Sequence, residues 1–326
     1  MILEEYNFTS CFSYDIQGLI EQKKQSGYIY DSAKYILIQF DKFCIANHID
    51  TSIITKEIAD TWQAYHANEA KSRRASRMGV LRQLAHYMNS QGSNCYIPSN
   101  FSTKSYRLPY VMNEREIREF FTVADKYVPK INADRFNILS EEYKVLFRFI
   151  YCCGLRVSEA RKLKLSDIDF DRKTARILQS KGDKSRIIYL SDDVSEMCMD
   201  MLDVLHDKYH YYSEYLFPSS KPNTPLNVAS INKKFQEFWK KTPSSSTSKH
   251  PTVHSLRYSF VVTRMNHWML NGENLTALMP YLSKYLGHES VENTYYYYHQ
   301  IENAFKIVRQ KDHLSDRIIP EVPYDE

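Results

Sequence analysis

Glycine is scarce in this chain, at 8 of 326 residues, and cysteine numbers only 6. Few glycines together with many long polar side chains favour helices. Cys11, Cys44, Cys95, Cys152, Cys153 and Cys198 form no Cys-x-x-Cys pair and no Cys/His cluster at zinc spacing. This excludes a zinc-ribbon or dithiol redox protein and leaves reduced, mostly buried thiols. No apolar run approaches the roughly 18 residues of a membrane span, and no basic segment followed by an apolar core opens the chain. The reading is of a soluble, cytoplasmic (nucleoid-associated) protein with no membrane partner. Charge of one sign is also lacking. Lys and Arg number 43 against 39 Asp and Glu, a net +4 with a pI near 8.5. So small an excess neither requires nor excludes nucleic acid; clustering decides.

What is present is apolar content of 43%, enough for proper cores, and 26 tyrosines. Residues 10–92 read as helical. Apolar residues recur at helical spacing through Tyr35, Ile36, Ile38, Phe40, Phe43 and Cys44, then Ile58, Trp62 and Tyr65, then Val80, Leu81, Leu84 and Tyr87. Thr55 stands at an N-cap without the acid of a capping box, Glu57 suits the first-turn dipole, and Gly92 marks a stop. A basic run, Lys71, Arg73, Arg74, Arg77 and Arg82, occupies twelve residues free of acid. Such a run is usually a solvated helix face. Arg73 and Arg77, at i and i+4 with Arg74 beside them, would give that face the charge to track phosphates. Prolines and polar residues then break the periodicity, and Lys104 and Arg107 fall where a linker would cross a DNA backbone. The organisation expected is a helical domain at 1–97, a linker at 98–112, a catalytic domain at 113–300 and a tail at 301–326 that docks on a neighbouring subunit or on its own domain.

After the linker, helices are expected at about 114–126, 141–153, 192–209, 228–241, 255–270, 274–285 and 290–308. Two β-rich runs, Thr174–Leu178 and Arg186–Leu190, flank a Lys181-Gly182-Asp183-Lys184 turn. The fold class is thus mainly α with a small β-hairpin. Two decoys fall away. Asp167, Asp169 and Asp171 imitate a calcium loop, but Arg172 replaces its glycine and Leu178 its final glutamate. His206 and His210 lack the glutamate of a zinc-protease helix.

Four separated pieces carry chemistry. They are Gly154-Leu155-Arg156-Val157-Ser158-Glu159, Lys181 in the hairpin turn, His254-Ser255-Leu256-Arg257, and Leu286-Gly287-His288 followed by Tyr297 and His299. Each alone has an ordinary structural explanation. In this order, with Tyr297 nine residues after His288, they resemble the catalytic domain of the tyrosine recombinase (phage integrase) family over roughly residues 108–300. The helical region before it resembles the family's core-binding domain more weakly. The resemblance implies a catalytic set of Arg156, Lys181, His254, Arg257, His288 and Tyr297. The arginines would bond the non-bridging oxygens of a phosphodiester, and the histidines would bond the same phosphate and assist proton traffic. Lys181 would protonate the 5′-oxygen, with Lys184 as the fallback. Tyr297 would form a 3′-phosphotyrosyl link, with Tyr296 and Tyr298 as neighbours able to substitute. No cofactor and no metal is called for, because the cations supply the electrostatics. The partners implied are double-stranded DNA, further copies of the chain from homodimer to homotetramer, and accessory DNA-binding proteins.

Arg257 and His288 stand 31 residues apart, longer than in many members. The extra length lies around Asn266–Tyr281, and the segment from Leu278 to His288 resembles a branch found on transposons and related mobile elements. Three alternatives stand beside recombination. A type IB topoisomerase would relax supercoils without partner exchange, a silent DNA-binding accessory protein would trap no covalent DNA, and a helical interaction module would bind DNA without salt dependence or not at all.

Overall fold

The computed structural model describes residues 6–28, 30–66, 68–99, 109–180, 184–221, 223–246 and 250–298. The expected tail at 301–326 and most of the expected linker lie outside them. The chain divides into two compact units, Met1–Tyr106 and Arg107–Glu326. Among the described residues no helix is long and apolar enough to cross a membrane.

The first unit is built from α1 (Ser13–Gln25), α2 (Asp31–Ala46), α3 (Lys56–Ala64) and α4 (Lys71–Ser90). Its core gathers Leu37, Phe40, Phe43 and Cys44 from α2 around Trp62 of α3, and Leu81, Leu84 and Met88 close it from α4. Trp62 meets Phe40 and Phe43 at centroid distances of 5.3 and 5.0 Å, within the range of favourable aromatic pairs. The apolar stripe is rotated slightly from its sequence reading, since Tyr35 is exposed and Ile36 only half-buried. Thr55 caps α3 by accepting from the Ile58 N–H at 3.3 Å. Asp41 is buried in α2, where it accepts from the Tyr6 hydroxyl and the Thr9 and Ser10 amides and so pins the segment ahead of α1.

The second unit runs α5 (Glu114–Asp125), α6 (Asp134–Cys153), α7 (Val157–Arg161), then β1 (Ile168–Asp169), β2 (Thr174–Ser180) and β3 (Lys184–Tyr189). It continues with α8 (Asp192–Asp203), α9 (Val228–Trp239), α10 (Val253–Leu270), α11 (Leu275–Leu286) and α12 (Glu292–Tyr298). α6 begins earlier than its sequence pattern suggested, and α8 ends in one π-helical turn at Val204–Lys208. The strands form one antiparallel sheet in the order β1-β2-β3, with Ile177 opposite Arg186 and Ala175 opposite Ile188. Alternation along β3 turns Arg186 and Ile188 inward and leaves Ile187 and Tyr189 exposed. Phe120, Phe147, Phe235 and Phe238 form the aromatic centre of the core. A smaller cluster of Val261, Met265, Met279, Leu282 and Leu286, with Tyr295 against it, binds α10, α11 and α12 together.

Candidate active site

Two glycines shape the site. Gly154 ends α6 and Gly287 ends α11, each in the left-handed region (φ 61° and 66°), where a side chain is strained and glycine is favoured. A Cβ on Gly154 would also collide with Phe260, and one on Gly287 would lie 3.0 Å from Arg186 Nη1. Each reversal leaves helix-terminal carbonyls turned inward, the negative end of the helix dipole.

Arginines fill those ends. Arg257 of α10 is 1% exposed and donates from Nη1 to the Gly154 carbonyl at 2.9 Å and from Nη2 to the Leu286 carbonyl at 2.8 Å. Arg156, at the N-cap of α7, donates from Nη2 to the Gly287 carbonyl at 3.2 Å. Its Nη1 donates to Glu159 at 2.8 Å. Arg186 comes in from β3. It donates to the Tyr285 carbonyl at 2.6 Å and grips both oxygens of Glu159 at 3.0 and 2.9 Å. Arg257 Nη1 stands 3.7 Å from the same carboxylate. One buried carboxylate thus faces three guanidiniums, and the local charge favours an incoming anion.

Two histidines border this group. His288 Nε2 lies 3.0 Å from Arg257 Nη2, and its Nδ1 lies 2.7 Å from the hydroxyl of the fully buried Thr294 on α12. Burial, then the charges of Arg257, Arg156 and Arg186, push the His288 pKa down to about 3, against a smaller opposing effect of Glu159. His254 lies one turn before Arg257 on the same face of α10 and makes an edge contact with Tyr258 at 4.5 Å. Burial, Arg257 and Arg156 lower its pKa to about 4. Both imidazoles are therefore held toward the neutral form in the free protein.

The structure brings together Arg156, His254, Arg257 and His288 from three stretches of sequence. Tyr297 sits on α12, and its side chain lies outside the described residues. Lys181 falls between β2 and β3 and also lies outside them, as do Lys104 and Arg107. Sequence reasoning missed Arg186 and Thr294 and gave Glu159 no role; the inward parity of β3 is the one signal that pointed to Arg186.

The basic run of the first unit needs correction. Arg77 is 1% exposed and cannot belong to a solvent face. Its guanidinium lies over the Trp62 ring at 4.5 Å, bonds the Trp62 and Gln63 carbonyls, and pairs with Glu69 at 2.8 Å. Arg82 is half-buried and donates to the Pro98 carbonyl at 2.5 Å. Lys71 and Arg73 are exposed, and Arg74 is half-buried. Among the described residues no His/Cys/Asp/Glu group is arranged to hold a metal ion.

A model of the phage integrase family matches residues 111–303, a stretch that contains every part of this site. The chain belongs to the phage integrase family. It is a tyrosine recombinase, an enzyme of DNA strand transfer. A candidate integrase/recombinase of Sinorhizobium fredii, y4rB, is 30% identical over 296 residues, covering 88% of this chain and 92% of that protein. Tyrosine recombinase XerD of Listeria innocua is 26% identical, covering 77% and 80%. Among solved structures, the Tn1549 transposon integrase in complex with circular intermediate DNA shares the fold at a TM-score of 0.60 and 15% identity, covering 90% of this chain and 98% of that one. XerH recombinase bound to difH substrate does so at 0.63 and 18%, covering 92% and 85%.

Proposed function

We propose that this recombinase serves a mobile DNA element, and that Tyr297 is its nucleophile. The observation that carries the catalytic reading is the shared carboxylate: Arg156, Arg186 and Arg257 converge on Glu159 where the Gly-Leu-Arg, His-x-x-Arg and Leu-Gly-His motifs meet. A scissile phosphate entering beside Arg156 and Arg257 takes the surplus positive charge. Preorganised guanidiniums then stabilise the charge that grows on its non-bridging oxygens. The Tyr297 phenol gives up its proton to a neutral imidazole of the site as its oxygen attacks phosphorus, the bond to the 5′-oxygen breaks, and Lys181 delivers the proton that the leaving oxygen needs. His254 and His288, neutral and beside the arginines, hydrogen-bond the phosphate. The phosphotyrosyl link preserves the energy of the broken bond, so a second 5′-hydroxyl rejoins it without a nucleotide cofactor.

The first unit contributes phosphate contacts through Lys71, Arg73 and Arg74, joined by Lys104 and Arg107; Arg77 is excluded by its burial. Double-stranded DNA is the substrate, and copies of the chain pair and then assemble as a tetramer across two duplexes, with accessory DNA-binding proteins as further partners. The long Arg257–His288 interval favours a mobile element over chromosome resolution.

The test is covalent capture on nicked duplexes made from the DNA flanking the native gene. Wild-type protein is expected to yield a protein–DNA adduct stable to denaturation. Tyr297→Phe is expected to yield none while binding the same duplex within twofold. An adduct formed by Tyr297→Phe at the wild-type rate would move the nucleophile to Tyr296 or Tyr298.

A further inference from the structure

His288 is held from both sides, and its partners differ in what they can do. A guanidinium only donates, so the 3.0 Å contact of Arg257 Nη2 makes Nε2 of His288 the acceptor. The proton of the neutral ring then resides on Nδ1 and is donated to Thr294 Oγ1 at 2.7 Å. In that tautomer Nε2 has no hydrogen to offer an anionic phosphate oxygen. A phosphate that draws Arg257 toward itself needs the opposite tautomer, with the proton on Nε2 and a bare Nδ1. A hydroxyl serves both states without displacement of any heavy atom, because it accepts in one and rotates to donate in the other. Thr294 is fully buried, so no bulk water substitutes for it.

We propose that Thr294 is a positioning residue that lets His288 exchange tautomers when a tetrahedral oxyanion enters the site. The free protein carries Nδ1–H and the occupied site carries Nε2–H. The inference rests on the phosphate-site reading above and adds a direction to it. It also ties that site to the nucleophile's helix, since Thr294 lies one turn before Tyr297 on α12.

The experiment uses the full chain labelled with 15N in its histidine rings, the His288 signals being assigned by their loss in His288→Gln. Orthovanadate is the probe, a tetrahedral oxyanion standing in for the phosphate. The free protein is expected to show a protonated Nδ1 and a bare Nε2, and saturating vanadate is expected to reverse the pattern. Thr294→Ser keeps the hydroxyl and is expected to reverse it too, with vanadate affinity within threefold of wild type. Thr294→Val keeps the shape without the hydroxyl. It leaves the His288 Nδ1–H without an acceptor, so it is expected to fold with a modestly lowered thermal midpoint and to bind vanadate about tenfold more weakly, the scale of one lost charge-linked hydrogen bond. If Thr294 were only packing, the valine would be neutral. A ring already protonated on Nε2 in the free protein, or vanadate bound with the ring unchanged, overturns the inference alone. Vanadate that does not bind at all overturns the phosphate-site reading and the inference with it.

Discussion

Arg77 in the first unit and Arg257 in the second are equally buried, each 1% exposed. Each bonds two backbone carbonyls, and each has a carboxylate nearby. The difference lies in how the carboxylate is shared. Glu69 grips Arg77 through three hydrogen bonds, and an indole face covers the guanidinium. Glu159 stands 3.7 Å from Arg257 and is held directly by Arg156 and Arg186. The first arrangement is neutral and complete within the protein. The second presents more positive than negative charge around His288. Burial of an arginine therefore says little by itself; the charge balance around it separates a structural pin from a site for an anion.

The sharpest way to break the comparison is a matched substitution at the two positions. Arg257→Lys keeps the charge and loses the planar fork that spans two helix ends. We expect covalent attachment to DNA to fall by about 100-fold or more, in line with loss of an oriented transition-state donor, with duplex affinity nearly unchanged in gel-shift titration. Cleavage near the wild-type rate would show that Arg257 is only structural.

Arg77→Met should act on stability. It strands the Glu69 carboxylate, and removal of one partner from a buried pair costs about 3–5 kcal/mol, readable in urea unfolding as early loss of the first unit. The double variant Arg77→Met/Glu69→Leu should recover most of that loss. A single variant as stable as wild type would mean that the pair contributes nothing.

The smallest expected effect separates the two units by pH. His254 and His288 have folded pKa values near 4 and 3, below their usual 6.5. Between those limits the unfolded chain binds more protons than the folded one, so stability falls as pH drops from about 6.5. Burial opposes ionisation of Glu69, but its bonds to Arg77 and the charge of Arg77 outweigh it and leave the pKa below the ordinary 4.5. Its contribution is intact above that value and is lost as pH falls further. Glu142 of α6, whose pKa burial raises well above 4.5, works the other way in the same unit, so the histidine effect is read as a difference: His288→Asn should flatten the acid slope of the second unit between about pH 6.5 and 4 relative to wild type. An acid slope unchanged by His288→Asn would contradict the histidine shift.

Much of this was legible in the residues. The Gly-Leu-Arg and Leu-Gly-His motifs each place a glycine at a helix end, and the structure uses both to bring carbonyls to Arg156 and Arg257. The hairpin and most helix spans were readable from periodicity. Arg77 was misread because helical spacing defines a face without saying which neighbour covers it, and its partners Trp62 and Glu69 precede α4. Arg186 and Thr294 escaped for a related reason. Parity along β3 turns Arg186 inward but does not name its partners; both roles arise only when β3 meets the end of α11 and when α12 folds back on His288.

The two left-handed glycines have a consequence for how such an enzyme changes its target. Two of the site's guanidiniums, Arg156 and Arg257, are aimed in large part by peptide carbonyls at the ends of α6 and α11, and a substitution alters side chains while leaving carbonyls in place. In the proposed phosphate site, residues on other surfaces are thus free to vary toward a new DNA sequence without moving these carbonyls. A recombinase built this way separates where it cuts from how it cuts, and its specificity can drift while its chemistry stands still.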